Sequence, residues 1–218
     1  MSYIEINHFT KIIKKNTILS DISLNLEKGR AYGFLGINGS GKTMLFRSIC
    51  GLMNATEGSI RVDSITVGNG IHPKNTGLLL ENADLWNELS AFENLNILNT
   101  MSDKKISKEE IKNIIADFGL DPESKKPFKS FSLGMKQKLR LAQAFMGEPE
   151  LLILDEPTNA LDEESKKHLT DRLLEEKKKG TTILLASHIK EDIQAVCDTI
   201  ICLKNGEIEK TEDIRKGE

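Results

Sequence analysis

The sequence predicts an α/β fold: a core built on a mainly parallel sheet, with an antiparallel β portion and an inserted helical subdomain. Three observations carry this prediction. Short apolar runs at residues 31–35, 77–80, 151–154 and 181–186 have the length and composition of strands covered on both faces. Helical spacing between several of these runs gives a strand–helix–strand alternation, which implies parallel pairing with crossover helices. From about residue 85 to residue 141 strand-like runs vanish and helical patterns dominate, as expected of an insert. The predicted division is a core of about 1–81 and 146–218 and a helical subdomain of about 82–145, forming one domain.

The elements follow in order. Residues 3–6 and 22–26 alternate apolar and polar, the period of half-buried strands. Lys28-Gly29 turns the chain into the run at 31–35. A glycine-rich loop comes next, then a helix over 44–53 with Met44, Leu45, Ile49 and Leu52 on one face. Glu57-Gly58 leads into a strand at 59–62. Helices are predicted over 91–101, 108–118 and 133–145, with Asp121-Pro122 and Lys126-Pro127 as loop signals. The run 151–154 is four consecutive large aliphatics and reads as a central strand. A charged amphipathic helix spans 162–179 and ends at Gly180, a C′ glycine. Asn205-Gly206 between residues 199–203 and 207–208 marks a terminal hairpin with a type I′ turn.

Composition narrows the function. The chain has 218 residues, 39% apolar and 29% charged, enough for an ordinary core. A net charge of −3 lacks the basic footprint that nucleic acid requires. Cys50, Cys197 and Cys202 form no C-x-x-C spacing and read as small buried hydrophobes in a reducing compartment. The N-terminus lacks signal-peptide character, and no apolar run nears the roughly 20 residues of a membrane span. The expected location is therefore cytoplasmic, with any membrane work done through a partner.

Residues 36–43, Gly-Ile-Asn-Gly-Ser-Gly-Lys-Thr, fit the phosphate-binding P-loop pattern G-x-x-x-x-G-K-[ST], between a predicted strand and helix. Phosphate oxygens need backbone amides converging on a small concavity, and glycines let the chain curl that tightly. Gly36, Asn38, Gly39, Ser40, Gly41, Lys42, Thr43 and Met44 are thus the expected phosphate cradle. Lys42 supplies a positive charge, and the Thr43 hydroxyl is placed to ligate Mg²⁺. The helix that follows directs its positive end at the anion. Residues 151–156, Leu-Leu-Ile-Leu-Asp-Glu, make a buried strand ending in two carboxylates. Ligands of open α/β sheets lie outside the carboxyl ends of strands. Asp155 would hold Mg²⁺ through its water shell, and Glu156 would polarise the attacking water.

Ser132-Leu133-Gly134-Met135-Lys136-Gln137 precedes that strand and on its own reads as a serine N-cap opening a helix. With it, the chain resembles ABC-type ATPases over nearly its whole length. The family's signature is Leu-Ser-Gly-Gly-Gln followed by a basic residue and Gln; here Ser132, Gly134 and Gln137 match, while Leu133 and Met135 depart. The resemblance implies that Ser132 and the Gly134 amide contact the γ-phosphate of ATP held by another subunit. It identifies Asn159-Ala160-Leu161-Asp162 with the D-loop, whose aspartate crosses the dimer interface, and His188 with a switch histidine on the γ-phosphate. Glu81 stands where relatives place a lid glutamine; a carboxylate there could ligate Mg²⁺ or orient water. Ile13 falls where relatives place an adenine-stacking ring, with Phe9 or Tyr3 as the alternative if the strand register is shifted. Trp86, with Leu85 and Leu89, reads either as a docking point for a membrane partner's helix or as a local core contact.

What the resemblance implies is a Mg²⁺-dependent ATPase with a P-loop NTPase core and ATP and Mg²⁺ as its ligands. Its expected partners are a separate integral membrane permease and a second copy of itself, or a paralogous ATPase subunit, closing head-to-tail over two ATP molecules. No nucleic acid is expected among the partners. The chain would sit peripherally on the inner face of the cell membrane. Glu81 and the altered signature are similar to those of bacterial exporters of drugs and antimicrobial peptides.

Overall fold

The computed structural model describes residues 2–80, 84–102 and 104–214. The chain opens with two long strands, β1 (Ser2–Ile13) and β2 (Asn16–Glu27), paired antiparallel across a tight turn. Both turn residues, Lys14 and Lys15, have positive φ (48° and 69°), which matches the right-handed twist of a hairpin. The strands run several residues beyond the stretches that alternate cleanly in sequence. Register shifts along the β1–β2 pair explain this, because each bulge resets the inside–outside alternation. Strand β4 (Glu57–Val62) and the two-residue β5 (Ile65–Thr66) complete a four-stranded sheet in the order β2-β1-β4-β5.

The second sheet holds the parallel strands β3 (Ala31–Leu35), β6 (Thr76–Leu79), β7 (Leu151–Asp155), β8 (Thr182–Ser187) and β9 (Thr199–Lys204). Strand β10 (Glu207–Asp213) pairs antiparallel at one edge, and the order is β10-β9-β3-β8-β7-β6. The β9–β10 hairpin turns at Asn205 and Gly206, both with positive φ, as the Asn-Gly pair predicts for a type I′ turn.

The helices are α1 (Lys42–Ile49), α2 (Ala91–Met101), α3 (Lys108–Asp117), α4 (Leu133–Phe145), α5 (Glu163–Lys178) and α6 (Lys190–Gln194), with a 3₁₀ turn at Phe128–Ser130. Capping boxes start α2 and α3: Ser90 and Ser107 accept from the backbone three residues on, and Glu93 and Glu110 reach back. The loop before α2 is held by the buried Asn94 amide, which donates to the carbonyls of Trp86, Leu89 and Ser90.

Strand β7 shows how the parallel sheet is covered on both faces. Leu151 and Ile153 pack into a cluster with Phe9 of β1 and Phe46 of α1, on the side of the antiparallel sheet. Leu152 and Leu154 face the other way, into a cluster with Leu95, Ile111, Leu139 and Leu169 of the remaining helices. Full burial of each such side chain stabilises by about 1.5–3 kcal/mol. The helices α2–α4 thus share one continuous apolar layer with the parallel sheet.

The contact of α4 with β6 leaves no room for a side chain on Gly77. A Cβ there would meet the Ala144 carbonyl oxygen at 1.8 Å. Gly77→Ala is therefore expected to destabilise by about 1–3 kcal/mol, or more if the backbone cannot yield. A fall of the thermal midpoint by about 2–4 °C per kcal/mol would report it, and an unchanged midpoint would refute the close approach.

Strands β3, β8 and β7 lie side by side, and their carboxyl ends deliver three loops to one edge of the sheet. These loops carry residues 36–41, Glu156 and His188.

Candidate active site

After Leu35 the chain leaves β3 and curls into the loop that ends at α1. Gly41 caps α1 at φ 110°, ψ −3°, a conformation that disfavours side chains with a Cβ. A Cβ on Gly41 would also press the Leu19 side chain at 2.9 Å. The loop is tied down by Ser40 N–H donating to the Ile37 carbonyl (3.1 Å) and Gly206 N–H donating to the Ser40 carbonyl (3.0 Å). The β9–β10 turn thus braces the phosphate loop.

A cleft of about 510 Å³ opens over this loop, within the size range of small-ligand sites. Asn38, Gly39, Ser40, Gly41, Lys42, Thr43 and Met44, all predicted from the P-loop pattern, line one wall. Glu156 and His188 close the opposite side. Gly36 lies just behind, where its carbonyl accepts from Lys42 Nζ at 2.6 Å; the Ile37 carbonyl accepts at 3.3 Å.

Lys42 is 5% exposed, yet its ammonium is not isolated. It sits 3.5 Å from Glu156 Oε1, while Glu156 Oε2 lies 2.8 Å from His188 Nδ1. One carboxylate thus bridges the loop cation and the imidazole. A buried cation that already tolerates a carboxylate and two carbonyls can exchange the carboxylate for a phosphate oxygen without losing its neutralisation. Asp155 ends β7 one residue earlier and is 2% exposed.

Glu156 adopts φ 49°, in the left-handed region that costs a non-glycine residue roughly 1–2 kcal/mol. Such strain persists where the surroundings over-determine it. The Glu156 N–H donates to the Ala186 carbonyl of β8 at 2.9 Å, and the buried Gln137 amide of α4 donates to the Pro157 carbonyl at 2.9 Å. The Thr158 hydroxyl donates to Asp192 Oδ2 of α6 at 2.7 Å. The turn that presents Glu156 is therefore fixed from three elements.

The remaining predicted residues lie elsewhere. Ser132 caps α4, its hydroxyl accepting from the Met135 N–H at 3.2 Å. Gly134 lies against the Ala160 carbonyl, where a Cβ would come within 3.0 Å. Asp162 caps α5 by accepting from the Ser165 N–H at 2.8 Å, and the Ser165 side chain together with that backbone bond holds its carboxyl below the ordinary aspartate range. None of Ser132, Gly134 and Asp162 lines the cleft of its own chain. Glu81 lies outside the described residues.

The strand residue lining the cleft is Ile18 on β2, beside Met44 of α1; the expected Ile13 is not among the lining residues and pairs with Asn16 at the hairpin end. Both proposed substitutes for a stacking ring are committed elsewhere. Phe9 is 2% exposed in the core, and the buried Tyr3 ring carries the Lys28 ammonium 5.1 Å from its centroid. Ile18 carried no motif that sequence reasoning used for the site. Asn159 lay in the D-loop match and Gln137 was a matched position after Ser132, but neither was given a role of its own there.

A family model described as ABC transporter matches residues 19–159. The chain is 45% identical over 213 residues to YybJ of Bacillus subtilis, an uncharacterized ABC transporter ATP-binding protein, covering 97% of each. It is 34% identical to SrtF of Streptococcus pyogenes, a lantibiotic transport ATP-binding protein, over 94% of this chain and 88% of that one. Its fold superposes on the dimeric bacterial ABC transporter cassette MJ0796 with a TM-score of 0.89 at 22% identity, covering 97% of this chain and 99% of that one.

Proposed function

This chain belongs to the ABC transporter family as an ATP-binding and ATP-hydrolysing subunit, and from that premise we propose that it powers export through a separate membrane permease, with Glu156 activating the water that attacks ATP. The observation that carries the site assignment is the Glu156 carboxylate, held between Lys42 at 3.5 Å and His188 at 2.8 Å at the mouth of the phosphate loop. The γ-phosphate would take the place of that carboxylate on Lys42, leaving Glu156 free to accept a proton from water. His188 would then donate to the phosphate. Phosphoryl transfer needs charge neutralisation and positioning more than covalent chemistry, and Lys42, the loop amides and the α1 N-terminus supply both.

Mg²⁺ fits the donor set. It takes a hydroxyl, one or two carboxylates, water and phosphate oxygens, and Thr43 in the cleft wall with Asp155 at the β7 terminus offers the protein share. Held by these residues, Mg²⁺ would supply positive charge against the negative charge that develops on the transferring phosphate. Glu81 remains a proposed third contributor. Chelation with EDTA is therefore expected to lower hydrolysis by about a hundredfold or more, with recovery on adding Mg²⁺; hydrolysis that survives chelation would refute the assignment.

Ser132, Gly134 and Asp162 are proposed to act on the ATP of a second ATPase subunit, either a copy of this chain or a paralogue. The two subunits and the permease would form the transporter, placing this chain at the inner face of the membrane. No helix among the described residues is long and apolar enough to cross a membrane. Trp86, half-exposed at 45%, is proposed to face the permease. Export of a peptide-like antimicrobial is favoured by the SrtF similarity. Co-purification of the chain with its permease, followed by ATP-driven loss of a labelled lantibiotic from vesicles, tests this reading; uptake instead of loss would reverse the direction.

Base recognition makes a separate prediction. The cleft presents Ile18 and no phenylalanine, tyrosine or tryptophan among its lining residues. Stacking on a ring is worth about 1–3 kcal/mol, of which an aliphatic side chain recovers only the hydrophobic part. Phosphate contacts do not separate purines, so GTP is expected to compete with ATP within about tenfold, one step of 1.4 kcal/mol. Competition titrations check this, and discrimination of about a hundredfold or more would call for a base contact that Ile18 does not provide.

A further inference from the structure

Helix α4 begins at the Ser132 cap and lies against the turn that presents Glu156. Two of its residues, Gly134 and Gln137, stand three apart and so share one helix face. That face is seated on the turn. Gly134 abuts the Ala160 carbonyl, and the Gln137 side-chain amide donates to the Pro157 carbonyl at 2.9 Å, with the Glu156 carbonyl at 3.5 Å. Gln137 is 8% exposed, so these bonds are made out of water. The opposite side of the helix start is open: Leu133 is 76% exposed beside Ser132.

The turn itself cannot hold its shape by local preference. Glu156 at φ 49° and Ala160 at φ 62° both occupy the left-handed region without being glycine. Released from its ties, the Glu156 backbone would relax toward ordinary φ and carry its carboxylate away from Lys42 and His188. Three hydrogen bonds oppose this from outside the turn. Those from Ala186 and Asp192 come from strand β8 and helix α6. The bond from Gln137 comes from the helix whose exposed N-terminus bears Ser132.

We propose that Gln137 is a positioning residue for hydrolysis, which locks the left-handed turn at Glu156 and couples that turn to the position of helix α4. Displacement of the α4 N-terminus by a second subunit is carried through the Gln137 amide to the Pro157 carbonyl and so to the carboxylate. The inference deepens the site reading above and rests on Glu156 acting on the attacking water. Gln137 does not itself line the cleft and, among the described contacts, touches no residue of the phosphate loop, so it acts on turnover and not on nucleotide affinity.

The test uses two variants of the full chain. Gln137→Met keeps length and packing and removes the donor. Gln137→Glu keeps shape and replaces the donor by an acceptor facing a carbonyl. Both are expected to lower kcat about tenfold while KM for ATP stays within about twofold, the pattern of an interaction felt only in the transition state. Thermal midpoints are measured alongside. A folded variant of either kind with kcat within about twofold of wild type overturns the inference. So does a loss of kcat that tracks a rise in KM and a fall in midpoint, which is the mark of a purely structural role. Glu156→Gln is assayed in parallel. If it abolishes turnover while Gln137→Met stays within about twofold of wild type, the positioning role alone fails; if it retains turnover, the reading of Glu156 falls and takes the inference with it.

Discussion

Glu156→Gln is expected to lower steady-state ATP hydrolysis by about 10²–10⁴-fold, the usual contribution of a general base, while ATP still binds. The change is isosteric. It removes the charge that bridges Lys42 and His188 but leaves Lys42, Thr43 and the loop amides in place. Losing the carboxylate also frees Lys42 of its internal partner, so nucleotide affinity should hold or rise. ATP would then accumulate unhydrolysed in closed dimers, visible as an ATP-dependent shift in size-exclusion chromatography. Turnover within about twofold of wild type would remove Glu156 from the role of base.

The parts of the site that are local in sequence could be read directly. The P-loop is contiguous, and its pattern encodes its own geometry: glycines where φ must be positive, then Lys42 and Thr43 opening the helix. The carboxylates at the end of β7 and the histidine at the end of β8 were legible because a buried aliphatic run fixes which way the strand points and where it stops. The helices 91–101 and 133–145 were also read with their observed ends, since a serine cap and a regular apolar face mark both.

What escaped was long-range or depended on backbone irregularity. Ile18 reaches the cleft because two long strands pair with bulges that shift the register, and a bulge leaves no mark in hydrophobic periodicity. The strain at Glu156 could not be foreseen, since glutamate gives no hint of a left-handed backbone. It follows from the pairing of its N–H with β8 and of the next carbonyl with α4. Phe9 stood as an alternative ring only under a shifted strand register, and its burial in the inter-sheet core removes it. An aromatic residue in an amphipathic strand declares its face only once the partner sheet is known.

A complete site is expected to need two subunits, and mixing two inactive variants should reveal it. Lys42→Ala removes the cation from the cleft, and Ser132→Arg blocks the α4 N-terminus. Each alone should lose hydrolysis by about a hundredfold or more, because each removes charge stabilisation that the transition state uses. Within one chain Ser132 does not line the cleft that Lys42 lines, which is why the proposed site draws the two from different subunits. If the partner is a copy of this chain, a mixed dimer joins one wild-type phosphate loop to one wild-type signature, while its other site carries both defects. Equal mixing makes half the dimers mixed, each with one productive site of two, so about a quarter of wild-type activity should return if the sites work independently. Specific activity of the wild type should also fall on dilution as dimers dissociate. Mixing without rescue, together with a specific activity that ignores dilution, would show that each chain hydrolyses alone and would separate Ser132 from the chemistry.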